Sequence, residues 1–439
     1  MKKQISGMIG LYAVGVIVAF LLIVVVFALP TAPIKNHVAE SVDMILNEGT
    51  YPAFMEDKLV RMHPNNAFDL GTLLLNNRIT ARDNFTDALM LLQASYDGTE
   101  SVLERSMAVY RYADANDSPL SSLDVYVKGE INELQRMPYD RYWHGYMVFL
   151  RPLLLFLNLK QIRILNLIIM VALLFWICKL MSENVLKNYR GWFLYGLLFF
   201  MPFTIPFCMQ FCTSTYVMLI ALIILLKNYE WLQQGARMAY YFMIVGMTVV
   251  YVDYLTFPLV TFGIPVIVLM LMDTSEDTLW KKLVRVIRYG IDWSIGYVGL
   301  WMAKWVIASV VLHRNVIKEG IEQVMFRSSS IPDAGDFKIT MLKAWGSNVC
   351  NYVNIVYVII IVIGLVWVCC KIRPSKCSLM EMFRTEGIYL LIATTPFVWY
   401  GIFKNHSYSH GSFTFRSLFI TVFAGMVFLR KWRDRCEQR

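Results

Sequence analysis

The sequence predicts an all-α, multi-pass membrane protein with about ten transmembrane helices, a helical extracytoplasmic domain and one interfacial helix. Composition is the first reason. Of 439 residues, 57% are hydrophobic and only 17% charged, with a mean hydropathy of +0.50, whereas soluble domains carry about 25% charged residues. The second is that long uncharged apolar runs recur along the chain, and a bilayer crossing needs roughly 20 such residues. These runs do not alternate polar with apolar, as barrel strands do over about 10 residues. The third is that the basic residues gather in alternate loops between these runs.

The first run, "MIGLYAVGVIVAFLLIVVVFALP", follows Lys2 and Lys3. It exceeds the roughly 7–15-residue apolar core of a signal peptide, so residues 1–30 read as a retained anchor. Residues 31–144 are polar and richer in acids than bases. Within them "ESVDMILNEG" and "FTDALMLLQASYDGTESVLERSMAVYRYA" carry apolar residues at helical spacing. The stretches "GTYP" and "NDSPLSS" mark its seams. It holds no cysteine, so disulfides do not staple it as they do many small secreted domains.

The short apolar stretch 145–158, "GYMVFLRPLLLFLN", holds Arg151 and Pro152. Its length fits an interfacial or re-entrant segment. Residues 145–439 form the multi-span domain. Spans are expected near 164–181, 191–207, 213–227, 238–253, 257–273, 290–312, 352–370, 386–403 and 413–429. A second polar loop covers 313–350.

With a cytoplasmic N-terminus, the inner loops receive Lys187 and Arg190, Lys281 to Arg288, and Lys371, Arg373 and Lys376. The C-terminal tail adds Arg430, Lys431, Arg433 and Arg435. The short loops near 208–212 and 254–256 hold no Lys or Arg. That alternation is the positive-inside pattern. It places both termini in the cytoplasm of a multi-pass cell-membrane protein, with 31–144 and 313–350 outside. The net charge of +9 is then an orientation signal. No clustered basic face points to nucleic acid.

In this topology unusual polar groups collect at the outer boundary. Arg141 and His144 stand in "YDRYWHGYMVFLRP", with Arg151 close behind. Asp253 ends a span in "YVDYLTFP", and Lys304 sits in "WMAKWV". His406 and His410 lie in "FKNHSYSHGSFTFR", and Arg416 is about one turn into the last span. Asp83 and Asp87 belong to "RDNFTDALML". Ionisable residues at membrane depth are costly and face the interior or a wet cavity, so one shared polar cavity is the expectation. Asp83 is placed to cap a helix. Asp87, one turn further on, is partly desolvated and a candidate base. The histidines suit a metal only if their turn is helical, and Gly411 argues against that. Cys208 and Cys212 read as packing residues. No nucleotide, zinc or hydrolase motif is present, so no cofactor is called for and no metal is assigned.

One amino-terminal span, a large helical outer loop carrying acids, an interfacial helix and many further spans resemble the GT-C superfamily of membrane glycosyltransferases. More narrowly, "DNFTDALML", "RYWHGYMVFLRPLLLF" and "NHSYSHGSFTFR" resemble a set of bacterial GT-C-like membrane proteins. The resemblance implies a sugar donor linked to polyprenyl phosphate and an envelope glycan or protein as acceptor. It implies an acidic base in the first outer loop: Asp87 or Asp83 here, although the usual place soon after the first span points to Glu40 or Asp43. Arg141, His144, Arg151, Asp253, Lys304, His406, His410 and Arg416 are the expected substrate-binding set, with Arg416 and either Arg151 or Lys304 on the donor phosphate. Membrane lipid is the remaining partner. A transporter or flippase, or a polymerase or ligase, for lipid-linked saccharides would use the same cations.

Overall fold

The computed structural model describes residues 2–53, 78–275, 277–371 and 378–438. Arg373 and Lys376 lie outside these. The fold is all-α apart from one short antiparallel ribbon, Arg111–Ala113 against Gln135–Met137. In hydrocarbon no water satisfies a backbone N–H or C=O, which leaves helices as the spanning form for such a chain.

Five described helices are long and apolar enough to cross a membrane: Gln4–Phe27, Leu159–Glu183, Met209–Leu232, Leu279–Leu312 and Gly411–Cys436. A sixth is made if Met341–Tyr352 and Ile355–Trp367, bent by 88°, count as one. The chain is therefore a helical membrane protein.

Several of the expected spans are shorter or broken. Arg237–Val252 and Val260–Met272 are apolar but short. The expected span 191–207 is a helix Arg190–Phe199 followed by the turn Ile205–Phe207. Met201, at φ 52, and Pro202 and Pro206 interrupt it. The expected span 386–403 divides into Leu379–Ala393 and Thr395–Ile402, with Pro396 opening the second piece. The turn holding His406 and His410, where Gly411 argues against a helix, is helical: Lys404–Ser409, running into Gly411–Thr414.

After the first span, Pro30 opens a second helix, Thr31–Glu48, which stops at Gly49 with φ 78. Its buried residues Ile34, Val38, Val42 and Ile45 form one stripe. The helix expected over "FTDALML…" splits. Asn84–Ser95 is buried on nearly every side, and Val102–Ala108 follows. Val109, at φ 44, then turns the chain into the ribbon. The predicted interfacial segment is the helix Met147–Leu154.

Two cations foreseen as substrate ligands hold this scaffold together. Arg151 is fully buried. Its Nε donates to the Val26 carbonyl at 2.8 Å and Nη2 to that of Leu29 at 3.2 Å, while Nη1 donates to that of Ala94. The guanidinium also lies over the Phe27 ring. It thus satisfies the last carbonyls of the first span, which a helix end leaves without partners. Lys304, likewise buried, donates to the Met107 carbonyl at 2.7 Å. On the same long helix, Trp301 and Trp305 donate to the Arg141 carbonyl at 2.8 and 2.9 Å, and Trp143 returns a bond to the Leu300 carbonyl at 2.7 Å. These bonds fasten residues 141–143 to Leu279–Leu312.

Replacing Arg151 by Met keeps the bulk and removes the donors. Each carbonyl left bare costs about 1–3 kcal/mol, so a lower unfolding temperature is expected in detergent. An unchanged transition would show that Arg151 is not a tether.

Candidate functional site

Asp87 sits at the meeting point of three helices. It is 0% exposed. Its Oδ1 accepts the Met209 N–H at 2.9 Å, the first amide of Met209–Leu232, and Oδ2 lies 3.2 Å from Arg163 Nη2. A carboxylate at a helix N-terminus answers both the free amides and the dipole. Arg163, early in Leu159–Glu183, also reaches Glu48 at 2.8 Å and the Asn84 amide oxygen at 2.8 Å. Arg82 adds a second contact to Glu48 at 3.1 Å. The result is a Glu48–Arg163–Asp87 cluster, buried at Arg163 and Asp87 and half-buried at Glu48. Burial raises the Asp87 carboxyl, and the Arg163 charge opposes the rise.

Asp83 differs. It caps Asn84–Ser95 as expected, accepting the Thr86 N–H and hydroxyl, each at 2.9 Å. No cation pairs with it among the described residues. Burial pushes its carboxyl up to about 6, against the two Thr86 bonds. Of the two acids, Asp87 is tied to a cation and to a helix end, whereas Asp83 is held by the Thr86 amide and hydroxyl. Glu40 and Asp43 are exposed on the Thr31–Glu48 helix, and Asn158 Nδ2 donates to Glu40 at 3.1 Å.

The segment 204–211 joins this cluster to Arg416. Cys208 borders Asp83 and Asp87, its Sγ lying 3.9 Å from the Asp83 carbonyl and 3.8 Å from Asp87 Oδ1. Arg416 donates to Thr204 Oγ1 at 2.9 Å and to the Ser412 carbonyl at 3.3 Å. Its guanidinium lies 4.0 Å from the Phe211 ring centre and 4.7 Å from that of Phe415. Arg416 is 0% exposed and its Nε has no partner. The titratable groups facing it are Cys208, Tyr352 and Tyr357, none of them a carboxylate. Cation–π contacts return about 0.5–2 kcal/mol each, against several kcal/mol for desolvating an ion. Arg416 is thus a buried cation with no counter-ion among the described residues.

The loop 253–257 links further predicted residues. Asp253 caps its own turn. Oδ2 accepts the Thr256 N–H at 2.7 Å, and Oδ1 accepts the Thr213 hydroxyl at 2.9 Å and that of Thr256. The Tyr254 hydroxyl donates to Gln93 Oε1 at 2.6 Å, as does that of Tyr146. His144, at φ 54, points Nδ1 at the Tyr254 hydroxyl at 3.1 Å and Nε2 at the Tyr139 carbonyl at 2.5 Å. Only an N–H can face a carbonyl, so Nε2 carries the proton. Burial pushes His144 down to about 3, which keeps it neutral. The Leu255 carbonyl takes the Nε2–H of His406 at 2.8 Å. His410 has its ring 4.7 Å from that of His406 and stacks on Phe413.

The foreseen single cavity therefore resolves into separate places. Asp83, Asp87 and Arg416 meet around 204–211. His144, Asp253 and His406 meet around 253–257, with His410 beside them. Arg151 and Lys304 share no partner with Arg416, because carbonyls of other segments occupy them. The turn holding the two histidines is helical after all, but no group of three or more His, Cys, Asp or Glu suited to a metal occurs among the described residues. Sequence reading missed Arg163 and Glu48. A charge one turn into a span, as in "KQIRILNL", was the available signal for Arg163. Glu48 carried none, since only folding brings it to Arg163. Comparison with protein-family models, curated proteins and solved structures finds no match.

Removing one partner of a buried ion pair leaves a bare charge and costs about 3–5 kcal/mol. Arg163→Met is expected to destabilise the protein by that order. Adding Asp87→Leu should recover part of the loss. Additive losses in a denaturation series would show that the two residues do not act as a pair.

Proposed function

We propose that the chain is a GT-C-like membrane glycosyltransferase. It would move a sugar from a polyprenyl-phosphate donor to an envelope acceptor at the outer face. The observation that carries this reading is the pairing of a buried cation lacking a counter-ion, Arg416, with an acid near neutrality, Asp83. They stand on either side of 204–211.

The chemistry assigns each a task. An acceptor hydroxyl attacks the anomeric carbon, and the bond from that carbon to the phosphate oxygen breaks. The bonding pair leaves with the lipid phosphate, and the hydroxyl proton passes to Asp83. The departing phosphate gathers negative charge, which a fixed guanidinium stabilises. That phosphate would also supply the negative charge Arg416 lacks. Asp87 and Arg163 would hold the helix carrying Asp83 in place. This moves the base from Asp87, favoured by sequence, to Asp83.

The topology belongs to the same proposal: about ten spans counting the short and broken helices, 31–144 and 313–350 external, and both termini cytoplasmic. A cysteine placed at position 117 should react with a membrane-impermeant reagent in intact cells. Reaction only after lysis would invert the topology and remove the outer-face reading.

Asp83→Asn should abolish transfer while leaving donor affinity within a few-fold. Arg416→Gln should weaken binding of polyprenyl phosphate about ten- to a hundred-fold, the equivalent of about 1.5–3 kcal/mol. A base must be deprotonated to act, so turnover should rise with pH through about 6 and fall below it. A pH–rate profile with no limb near that value, or full turnover in the Asp83 variant, would exclude Asp83 as base.

A further inference from the structure

The chain that delivers Arg416 runs through three short helical pieces, Lys404–Ser409, Gly411–Thr414 and Phe415–Ser417. Pieces of this length are mostly ends, and end carbonyls take partners from outside the helix. Here the partners come from a neighbouring helix, Met341–Val349, and the turn Cys350–Tyr352 that continues it. Ser347 Oγ donates to the Tyr408 carbonyl at 3.0 Å. Asn348 Nδ2 donates to the Ser407 carbonyl and Asn351 Nδ2 to the Gly411 carbonyl, each at 2.8 Å. In return, Thr414 Oγ1 donates to Asn348 Oδ1 at 2.7 Å. The Thr414 carbonyl takes the Tyr400 hydroxyl at 2.8 Å. Ser347, Asn348, Asn351, Tyr400 and Thr414 are all buried.

The same helix and turn reach both points that hold the guanidinium. Arg416 donates to Thr204 Oγ1 and to the Ser412 carbonyl. Ser412 directly follows Gly411, whose carbonyl Asn351 binds. On the other side, the Tyr352 hydroxyl donates to the Phe199 carbonyl at 2.5 Å, on the chain leading to Thr204. It lies 3.3 Å from the Phe415 carbonyl, and its ring packs edge-on against Phe415 at 5.6 Å. The Phe415 ring in turn lies under the guanidinium. Glycine at 411 permits the close approach, because a β-carbon there would stand 2.9 Å from the Ser347 carbonyl.

Plain packing of two buried segments would be met by apolar side chains, since a buried amide costs desolvation that its bonds must offset. Asn351 Oδ1 even stays without a partner, so this asparagine is placed for its N–H groups. Arg416 has no acid beside it among the described residues. No ion pair fixes its place, and its position follows the backbone that carries it. A cation held in place stabilises developing phosphate charge better than a mobile one, because nothing reorganises during the reaction. We infer that Asn348, Asn351 and Thr414 are positioning residues for Arg416, holding its backbone so that the guanidinium meets the lipid phosphate at a fixed point. This rests on the reading of Arg416 as the donor-phosphate ligand.

The test is equilibrium binding of polyprenyl phosphate to the full-length protein in detergent, with thermal unfolding measured alongside. Thr414→Val keeps the shape and removes the hydroxyl, and Asn351→Leu removes the amide. Each should weaken binding about three- to tenfold, the loss of one ordinary hydrogen bond. Thr414→Ser keeps the hydroxyl and should keep the affinity. In an Arg416→Gln background neither change should weaken binding further, because both act through that guanidinium. Arg151→Met, which loosens the scaffold elsewhere, should lower the unfolding temperature without changing the affinity. If Asn351→Leu does not fold, the Thr414 pair decides. Unchanged affinity in Thr414→Val, equal weakness in Thr414→Ser, a loss that persists in the Arg416→Gln background or an equal loss in Arg151→Met would overturn the positioning role. If Arg416→Gln alone loses affinity, the donor reading stands and the inference falls. No binding by the unmodified protein, or full binding by Arg416→Gln, would overturn the donor reading and the inference with it.

Discussion

The contact of Asp87 with the first amide of Met209–Leu232 and with Arg163 is the constraint on which the rest depends. It fixes a helix of the polar segment 31–144 to two membrane helices at once. With it fixed, Asp83 comes against Cys208, and 204–211 comes between Asp83 and Arg416. A neutral residue at position 87 would leave the first amide of Met209–Leu232 without its acceptor and Arg163 with Glu48 as its one acidic partner among the described residues. At the edge of a low-dielectric slab either loss is costly.

The same economy recurs across the molecule. Arg151 closes the end of the first span, Lys304 holds the Met107 carbonyl, and tryptophan N–H groups hold the carbonyls of Leu300 and Arg141. Each uses a long side chain to tie itself to a backbone carbonyl of a distant segment. Arg416 stands out against this background because its bonds go to a hydroxyl and to the carbonyl one turn before it, with no acid beside it among the described residues.

The two acids in "RDNFTDALML" divide their work by environment. Both are deeply buried and both are pushed toward protonation by desolvation. A neighbouring guanidinium opposes that in Asp87, whereas Asp83 has only the Thr86 amide and hydroxyl. Two carboxylates one helical turn apart are thereby held in different surroundings, one beside a guanidinium and a helix end, the other on the first turn of its own helix.

Composition and run length by themselves determined the helical membrane class, the first span, the helix after it, and the cap at Asp83. These depend on local pattern, which the chain carries residue by residue. The breaks at Met201 and between Ala393 and Thr395 followed from prolines whose effect on span length a hydropathy count does not weigh. Folding alone decided which polar residues meet. Arg151, Lys304 and Arg416 look alike in sequence, each a cation near an apolar run. Whether a carbonyl lies within 3 Å of the side chain depends on segments far away in the chain, Val26 for Arg151 and Met107 for Lys304. Long-range packing therefore separated the cations that brace the scaffold through distant carbonyls from Arg416, which has none, because hydrogen-bond satisfaction is a property of neighbours in space.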